Sequence, residues 1–163
     1  MRKIFSLVIG AVLGLAAAGA AAAAERKALP PFTLTTVDGT SVESGALAAE
    51  GTWIFVYVQA RCVPCDAVLA QIDSDERAAA PRIAIVGAGM DADQMAVLAA
   101  KHPNLKSSRW LADPARAASS VLGVKAMPTV FGLRGSFVEW RLAGTVRSHK
   151  DLESILFTWL EKR

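Results

Sequence analysis

The chain has few residues of the kinds that bind metals or form disulfides. Its 163 residues include two cysteines, Cys62 and Cys65, and two histidines. A structural zinc site needs four ligands, and no second cysteine pair exists. We expect both histidines, His102 and His149, at the surface, which disfavours zinc further. Haem attachment requires C-x-x-C-H, and Asp66 occupies the place of that histidine, so this class is excluded.

A large excess of charge of either sign is also missing. The 18 basic and 15 acidic residues leave a net charge of +3, which excludes a typical nucleic-acid-binding protein. The charges are unevenly spread, because residues 25–100 hold 5 basic and 10 acidic side chains, whereas residues 101–163 hold 11 and 5. The basic half therefore predicts a mild preference for acidic partners.

The first 24 residues contain no charge after Arg2 and Lys3. A short basic start, an apolar run and small residues at Ala22 and Ala24 predict a secretory signal peptide over residues 1–24, cleaved near its end. The alternative is an uncleaved membrane anchor, because roughly 20 apolar residues cross a bilayer. No cysteine follows the run, so we expect no lipid-modified N-terminus. The sequence thus predicts an exported protein, soluble in the periplasm or anchored in the membrane.

Strand and helix patterns alternate along the rest of the chain. After a tail over residues 25–31, one domain is predicted over residues 32–163. The predicted strands are 32–36, 53–58, 82–87, 129–133 and 137–142. The predicted helices run from the CVPC stretch to about 79, over 92–102, from 113 to 122, and from 148 towards the C-terminus. This order predicts an α/β fold with a central mixed sheet flanked by helices.

The two cysteines stand where a buried strand, residues 53–58, turns into a helix. Cys62 falls at the helix N-terminus, where free N–H groups and the helix dipole lower a thiol pKa, and Arg61 adds a nearby cation. Cys65 lies one turn further in and is better shielded. A bridge between them closes almost no loop, so it stabilises the fold little. The pair predicts a redox dithiol; binding of Cu(I) by two thiolates is the alternative.

Several stretches resemble exported thiol–disulfide oxidoreductases of the TlpA/ResA-like group, which have a thioredoxin fold. They are PPFTLTTVDGTSV, CVPC and DPARAASSVLGVKAMPTVFGLRGSFVEWRLAG. The first resembles the N-terminal strand extension of that group. The resemblance implies that Pro128 is a cis-proline opposite the dithiol and that Met127 offers backbone groups to a substrate.

Four positions depart from the family pattern. Arg61 stands where the family has Trp, and Met127 is unusual before the cis-proline. Val56 occupies the position of the buried acid of thioredoxins, and Val68 occupies that of the Glu found in ResA-like proteins. Neither usual proton acceptor for Cys65 is therefore present.

The resemblance also implies a function. It indicates a periplasmic thiol–disulfide oxidoreductase with Cys62 and Cys65 as catalytic residues and no cofactor. Its expected partners are disulfide-containing exported proteins and a membrane or periplasmic electron donor, with no nucleic acid. Pro64 before the second cysteine resembles the reductant branch, so we expect a reductase. A disulfide-forming oxidant of the same fold is the enzymatic alternative.

Overall fold

The computed structural model describes residues 27–48, 50–74, 80–144 and 149–161. Its strands are β1 (Lys27–Ala28), β2 (Thr33–Thr36), β3 (Ser41–Glu43), β4 (Thr52–Gln59), β5 (Ile83–Ala88), β6 (Arg109–Asp113), β7 (Thr129–Arg134) and β8 (Phe137–Ala143). Its helices are α1 (Val63–Asp73), α2 (Ala92–Ala99), α3 (Ala117–Leu122) and α4 (His149–Glu161). No helix in this part of the chain is long and apolar enough to cross a membrane. The predicted signal peptide, residues 1–24, lies outside the described residues.

All eight strands belong to one sheet, in the order β1-β8-β7-β4-β5-β6-β2-β3. β4, β5 and β6 are parallel, whereas β7, β8 and β2 run antiparallel to their neighbours. The predicted mixed sheet flanked by helices is confirmed. The carboxyl ends of the parallel strands β4, β5 and β6 lie at the same end of the sheet. The segments that follow these three strands therefore lie close together there.

The central strands are buried on both faces, since helices cover both. Alternate residues of β4 point to opposite sides: Ile54, Val56 and Val58 pack in one apolar cluster with α1 and α4, and Trp53, Phe55 and Tyr57 pack in the other with α3. Continuous apolar runs are typical of such strands. The core therefore lies in two layers, and the cysteines belong to the α1 side.

The connection from β1 to β2 requires the sheet to curl. Ala28 and Thr33 lie near opposite edges, six strand steps apart, which is roughly 29 Å in a flat sheet. Five extended residues span at most about 18 Å. The segment is held at both sides, because Leu29 N donates to Ser136 O (2.7 Å) and Ser44 Oγ donates to Pro30 O (2.9 Å). From Lys27 onward, the predicted tail is hydrogen-bonded to the sheet.

Some predicted boundaries differ from the structure. Asp91 and Gln94 form a capping box at the start of α2, which ends at Ala99 instead of residue 102. The segment Arg109–Asp113 is a strand that the sequence analysis did not predict, and α3 begins at Ala117, later than expected. The five residues of β6 are too few to give a clear period before the Asp-Pro turn.

The expected surface position of His102 is wrong. Its side chain is buried, stacks on Trp110 with ring centroids 6.0 Å apart, and places Nδ1 3.8 Å from Asp73 Oδ2. Because Trp110 belongs to the unpredicted β6, the ring that covers His102 was missed with the strand. The predicted surface position of His149 concerns a side chain outside the described part of the structure.

Candidate redox site

Cys62 and Cys65 form a disulfide at the start of α1. β4 ends at Gln59, and Cys62 is the N-cap residue of the helix, with extended backbone angles (φ −118°, ψ 94°). Pro64 lies in the first turn, where a missing N–H costs nothing. The N–H of Cys65 donates to Cys62 Sγ at 3.2 Å. A helix start thus directs a backbone donor at the first sulfur, an arrangement that favours negative charge there.

The two sulfur-bearing residues differ in their surroundings. Cys62 is 7% exposed beside Val63, which is 79% exposed, whereas Cys65 is 1% exposed. Val56 and Val68, at the two positions of the family acids, belong to the same apolar cluster as Cys65. The inner cysteine is therefore surrounded by hydrocarbon, as the departures from the family pattern predict.

The loop before β7 lies next to this disulfide. The Met127–Pro128 bond is cis, as the resemblance implies, and Pro128 is buried. The next residue, Thr129, pairs with Tyr57 near the end of β4, and its Oγ1 donates to Ala126 O at 2.6 Å. Met127 lines the same groove as Cys62. The substrate-binding roles of Met127 and Pro128 stay predictions.

A groove of about 530 Å³ opens beside the first cysteine. It is lined by β4's last residue, the start of α1, the start of α3 and the loop before the cis-proline: Gln59, Arg61, Cys62, Val63, Pro64, Arg116, Ser119, Val124, Lys125, Ala126 and Met127. Its charged members are Arg61, Arg116 and Lys125. Only Arg61 was predicted from the sequence, because Arg116 and Lys125 reach the groove through the tertiary fold.

Comparisons with known proteins concern the fold. No protein-family model matches the sequence, and a search of curated proteins gives no match. Solved structures do match: a thiol:disulfide interchange protein DsbE from Chlorobium tepidum (20% identity, 83% of this chain and 96% of that chain, TM-score 0.61) and a secreted Mycobacterium tuberculosis disulfide oxidoreductase (19%, 78% and 95%, 0.62). StoA from Bacillus subtilis matches at 19% identity, over 82% and 98% of the two chains, with TM-score 0.56.

The fold is the thioredoxin fold. This confirms the predicted fold class, including a strand extension before the central sheet. In this chain the thioredoxin fold brings the CxxC disulfide and the cis-proline loop, which are 62 residues apart from Cys65 to Met127, to one edge of the sheet.

Beneath the groove, this thioredoxin fold contains a buried polar pair that the sequence analysis missed. Tyr57 Oη donates to Asp113 Oδ2 at 2.5 Å, and the carboxylate also accepts from Ala117 N (2.7 Å) and Ala118 N (3.0 Å). Burial raises the pKa of Tyr57, and the hydrogen bond and charge of Asp113 raise it further. The aspartate thereby ties the start of α3, and with it Arg116, to the end of β4.

The potential metal ligands among the described residues form no larger cluster. Within residues 27–48, 50–74, 80–144 and 149–161, His, Cys, Asp and Glu do not gather in groups of three or more that could hold a metal ion. The two cysteine sulfurs are bonded to each other. Binding of Cu(I) would require their reduction first.

Proposed function

We propose that this protein is a periplasmic thiol–disulfide oxidoreductase that reduces the disulfides of exported proteins. The observation that carries the proposal is the Cys62–Cys65 disulfide at a helix N-terminus, with one sulfur beside an open groove and the other in the core. The names of the similar structures support it, since one is an interchange protein and another a secreted disulfide oxidoreductase. We further propose residues 1–24 as a cleaved signal peptide, 25–31 as the tail and 32–163 as the domain.

The reaction follows from the positions of the two thiols in the reduced protein. The Cys62 thiolate attacks one sulfur of a substrate disulfide, forms a mixed disulfide and expels the other substrate sulfur as a thiolate. Cys65 then loses its proton to solvent or to the departing thiolate and attacks Cys62 Sγ, which releases the second substrate thiolate. Two electrons pass to the substrate, and a dithiol electron donor, in the membrane or the periplasm, restores the reduced pair.

Disulfide formation is the second candidate, and one observation favours it. The three cations of the groove stabilise a Cys62 thiolate, and stabilising the reduced form makes a disulfide more oxidising. Pro64, by contrast, resembles the reductant branch. The two candidates use the same atoms and differ in the direction of electron flow.

The reduction potential of the full chain distinguishes the two. Equilibration with a glutathione or dithiothreitol redox buffer, read by alkylation of free thiols, measures it. A potential below about −250 mV supports the reductase, and one near about −120 mV supports the oxidant. The Cys65→Ser variant is the control, because it cannot form the couple. Absence of exchange with any protein disulfide or dithiol would contradict both the reductase and the oxidant. Activity that survives a Cu(I) chelator argues against the copper alternative.

Export is tested separately, by the N-terminal sequence of the protein from cells. We expect a mature form that begins close to Glu25 in the periplasmic fraction, for the reasons of composition given above. Full-length chain in the membrane fraction would instead establish the anchored form.

A further inference from the structure

The charges around the groove are all of one sign. Arg61, Arg116 and Lys125 line it, and its other members, including the disulfide-bonded Cys62, are uncharged. We call these three side chains the basic rim. Among the described residues, none of the three has an acidic side chain within ion-pair distance. The rim therefore presents unneutralised positive charge directly beside the first sulfur.

The nearby acids do not neutralise the rim. The carboxylate of Asp113 is buried and accepts from Tyr57 and from the start of α3. Asp66 and Asp93 line a neighbouring cavity that shares Gln59 and Arg61 with the groove and also contains Lys101. Arg116 and Lys125 line the groove alone, and both acids lie outside its lining.

The backbone holds two rim residues in an unfavourable conformation. Arg61 (φ 54°) and Arg116 (φ 55°) are the non-glycine residues with positive φ in the described chain. This conformation is unfavourable for a residue with a Cβ, and glycine would adopt it without that cost. Gly89 makes room for Arg116, because a Cβ there would lie 3.0 Å from its Nε. Strain of this kind concentrates at functional sites, and here both instances carry a cation into one groove.

We propose that the basic rim binds an acidic segment next to the substrate cysteine, so that the protein prefers disulfides flanked by Asp or Glu. This inference rests on the proposed function and adds a substrate class to it. Opposite charges attract within a Debye length of about 10 Å at 0.1 M salt, a distance of the order of the groove itself. The preference therefore appears in the rate of encounter and binding, and added salt weakens it.

The test uses three peptides, each with one disulfide and differing only in three flanking residues, which are all Glu, all Gln or all Lys. Stopped-flow measurement of the second-order rate constant for oxidation of the full-length reduced chain by each peptide should give the order Glu, Gln, Lys. The gap between Glu and Gln should be about tenfold in low salt and should shrink at 0.5 M salt. If the protein is an oxidant, the same comparison of rates uses the dithiol forms of the three peptides and the oxidised chain.

Variants assign the preference to the rim. Arg116→Gln and Lys125→Gln should each lower the Glu-to-Gln ratio about threefold. Lys106→Gln, an exposed cation at the opposite end of β6, should leave all three rates unchanged. Arg116→Gly should lower the Glu-to-Gln ratio as far as Arg116→Gln does, yet unfold at a higher denaturant concentration than that variant, because glycine relieves the left-handed backbone.

The possible failures are distinguishable. Equal rates for the three peptides in an active protein would overturn the basic rim and leave the proposed function intact. A complete lack of reaction with every peptide would overturn the proposed function itself. A preference that Lys106→Gln abolishes as fully as Arg116→Gln would assign it to net charge and not to the rim.

Discussion

Two cysteines one helical turn apart differ in what borders each sulfur. Both pack in the same apolar cluster, but Cys62 also borders a groove with a basic rim and accepts a backbone N–H, whereas Cys65 is the more deeply buried of the two. The side chains themselves are identical, so any difference in reactivity comes from what surrounds each sulfur. Cys62 has the open groove beside it and Cys65 is almost fully shielded, and we infer that this difference separates the attacking thiol from the resolving one.

The largest expected effect comes from removing either sulfur. Cys62→Ser should abolish reaction with disulfides, because the remaining thiol is shielded. Cys65→Ser should react once and stop as a mixed disulfide through Cys62, which captures the natural partner from periplasmic extract. Non-reducing electrophoresis and mass spectrometry detect the complex. Trapping by Cys62→Ser, with none by Cys65→Ser, would reverse the roles.

The position of Arg116 in the basic rim depends on Asp113, whose carboxylate holds the start of α3. Asp113→Ala should lower the free energy of unfolding by about 3 kcal/mol, since it leaves Tyr57 Oη and two N–H groups at the start of α3, one of them buried, without their acceptor. Denaturant unfolding measures the loss. Asp113→Asn is the control, because its amide oxygen still accepts, and it should cost less. A loss below about 1 kcal/mol for the alanine variant would show that the carboxylate is not supporting α3.

A carboxylate beside Cys65 should erase part of the difference between the sulfurs. Val68 lies three residues after Cys65 on the same buried side of α1. Val68→Glu should speed the release of a preformed mixed disulfide at pH 7 about tenfold, because the carboxylate accepts the thiol proton. Val68→Gln carries the same bulk without the base and should give no gain. Equal rates for the two variants would show that proton transfer does not limit this step.

The raised pKa of Tyr57 should make the folded protein less stable at alkaline pH. Its pKa is raised in the folded protein, so above about pH 10 the unfolded chain ionises while the folded protein keeps its proton. Between pH 10 and 11, the wild type should lose about 1 kcal/mol of unfolding free energy relative to Tyr57→Phe. Tyr57 is the single tyrosine, so tyrosinate absorbance follows it directly. Ionisation of the native protein near pH 10 would contradict the raised pKa.

The smallest expected effect concerns the cation next to the first sulfur. In a Cys65→Ser background, Arg61→Ala should move the pH dependence of Cys62 alkylation upward by less than about one unit, because solvent screens an exposed cation. Lys106→Ala, far from the groove, should leave it in place. A downward movement would show that Arg61 does not favour the thiolate.

The features predicted from sequence are those written in short local patterns. CxxC between an apolar strand and a helix indicates Cys62 and Cys65 as a redox pair, and the resemblance of Met-Pro-Thr to the loop of a known family implies the cis-proline Pro128. The disulfide and the cis bond are both present in the structure.

The missed features depend on contacts between distant residues. Tyr57 and Asp113 are 56 residues apart and meet only because β4, β5 and β6 pair in parallel register. Arg116 reaches the groove through the same register. His102 precedes a proline, which locally indicates a surface turn, but the ring of Trp110 covers it. Local pattern carries no information about such pairings.

The position of β1 determines where a tether at the N-terminal side joins the domain, relative to the groove. β1 pairs with the beginning of β8, level with the start of β4, while the disulfide follows the end of β4. The length of β4 separates the two levels by roughly 23 Å. A tether joined ahead of Lys27 therefore attaches at the base and leaves the groove facing outward. Anchored and released forms would offer substrates the same access, and an N-terminal fusion partner would not obstruct the reactive sulfur.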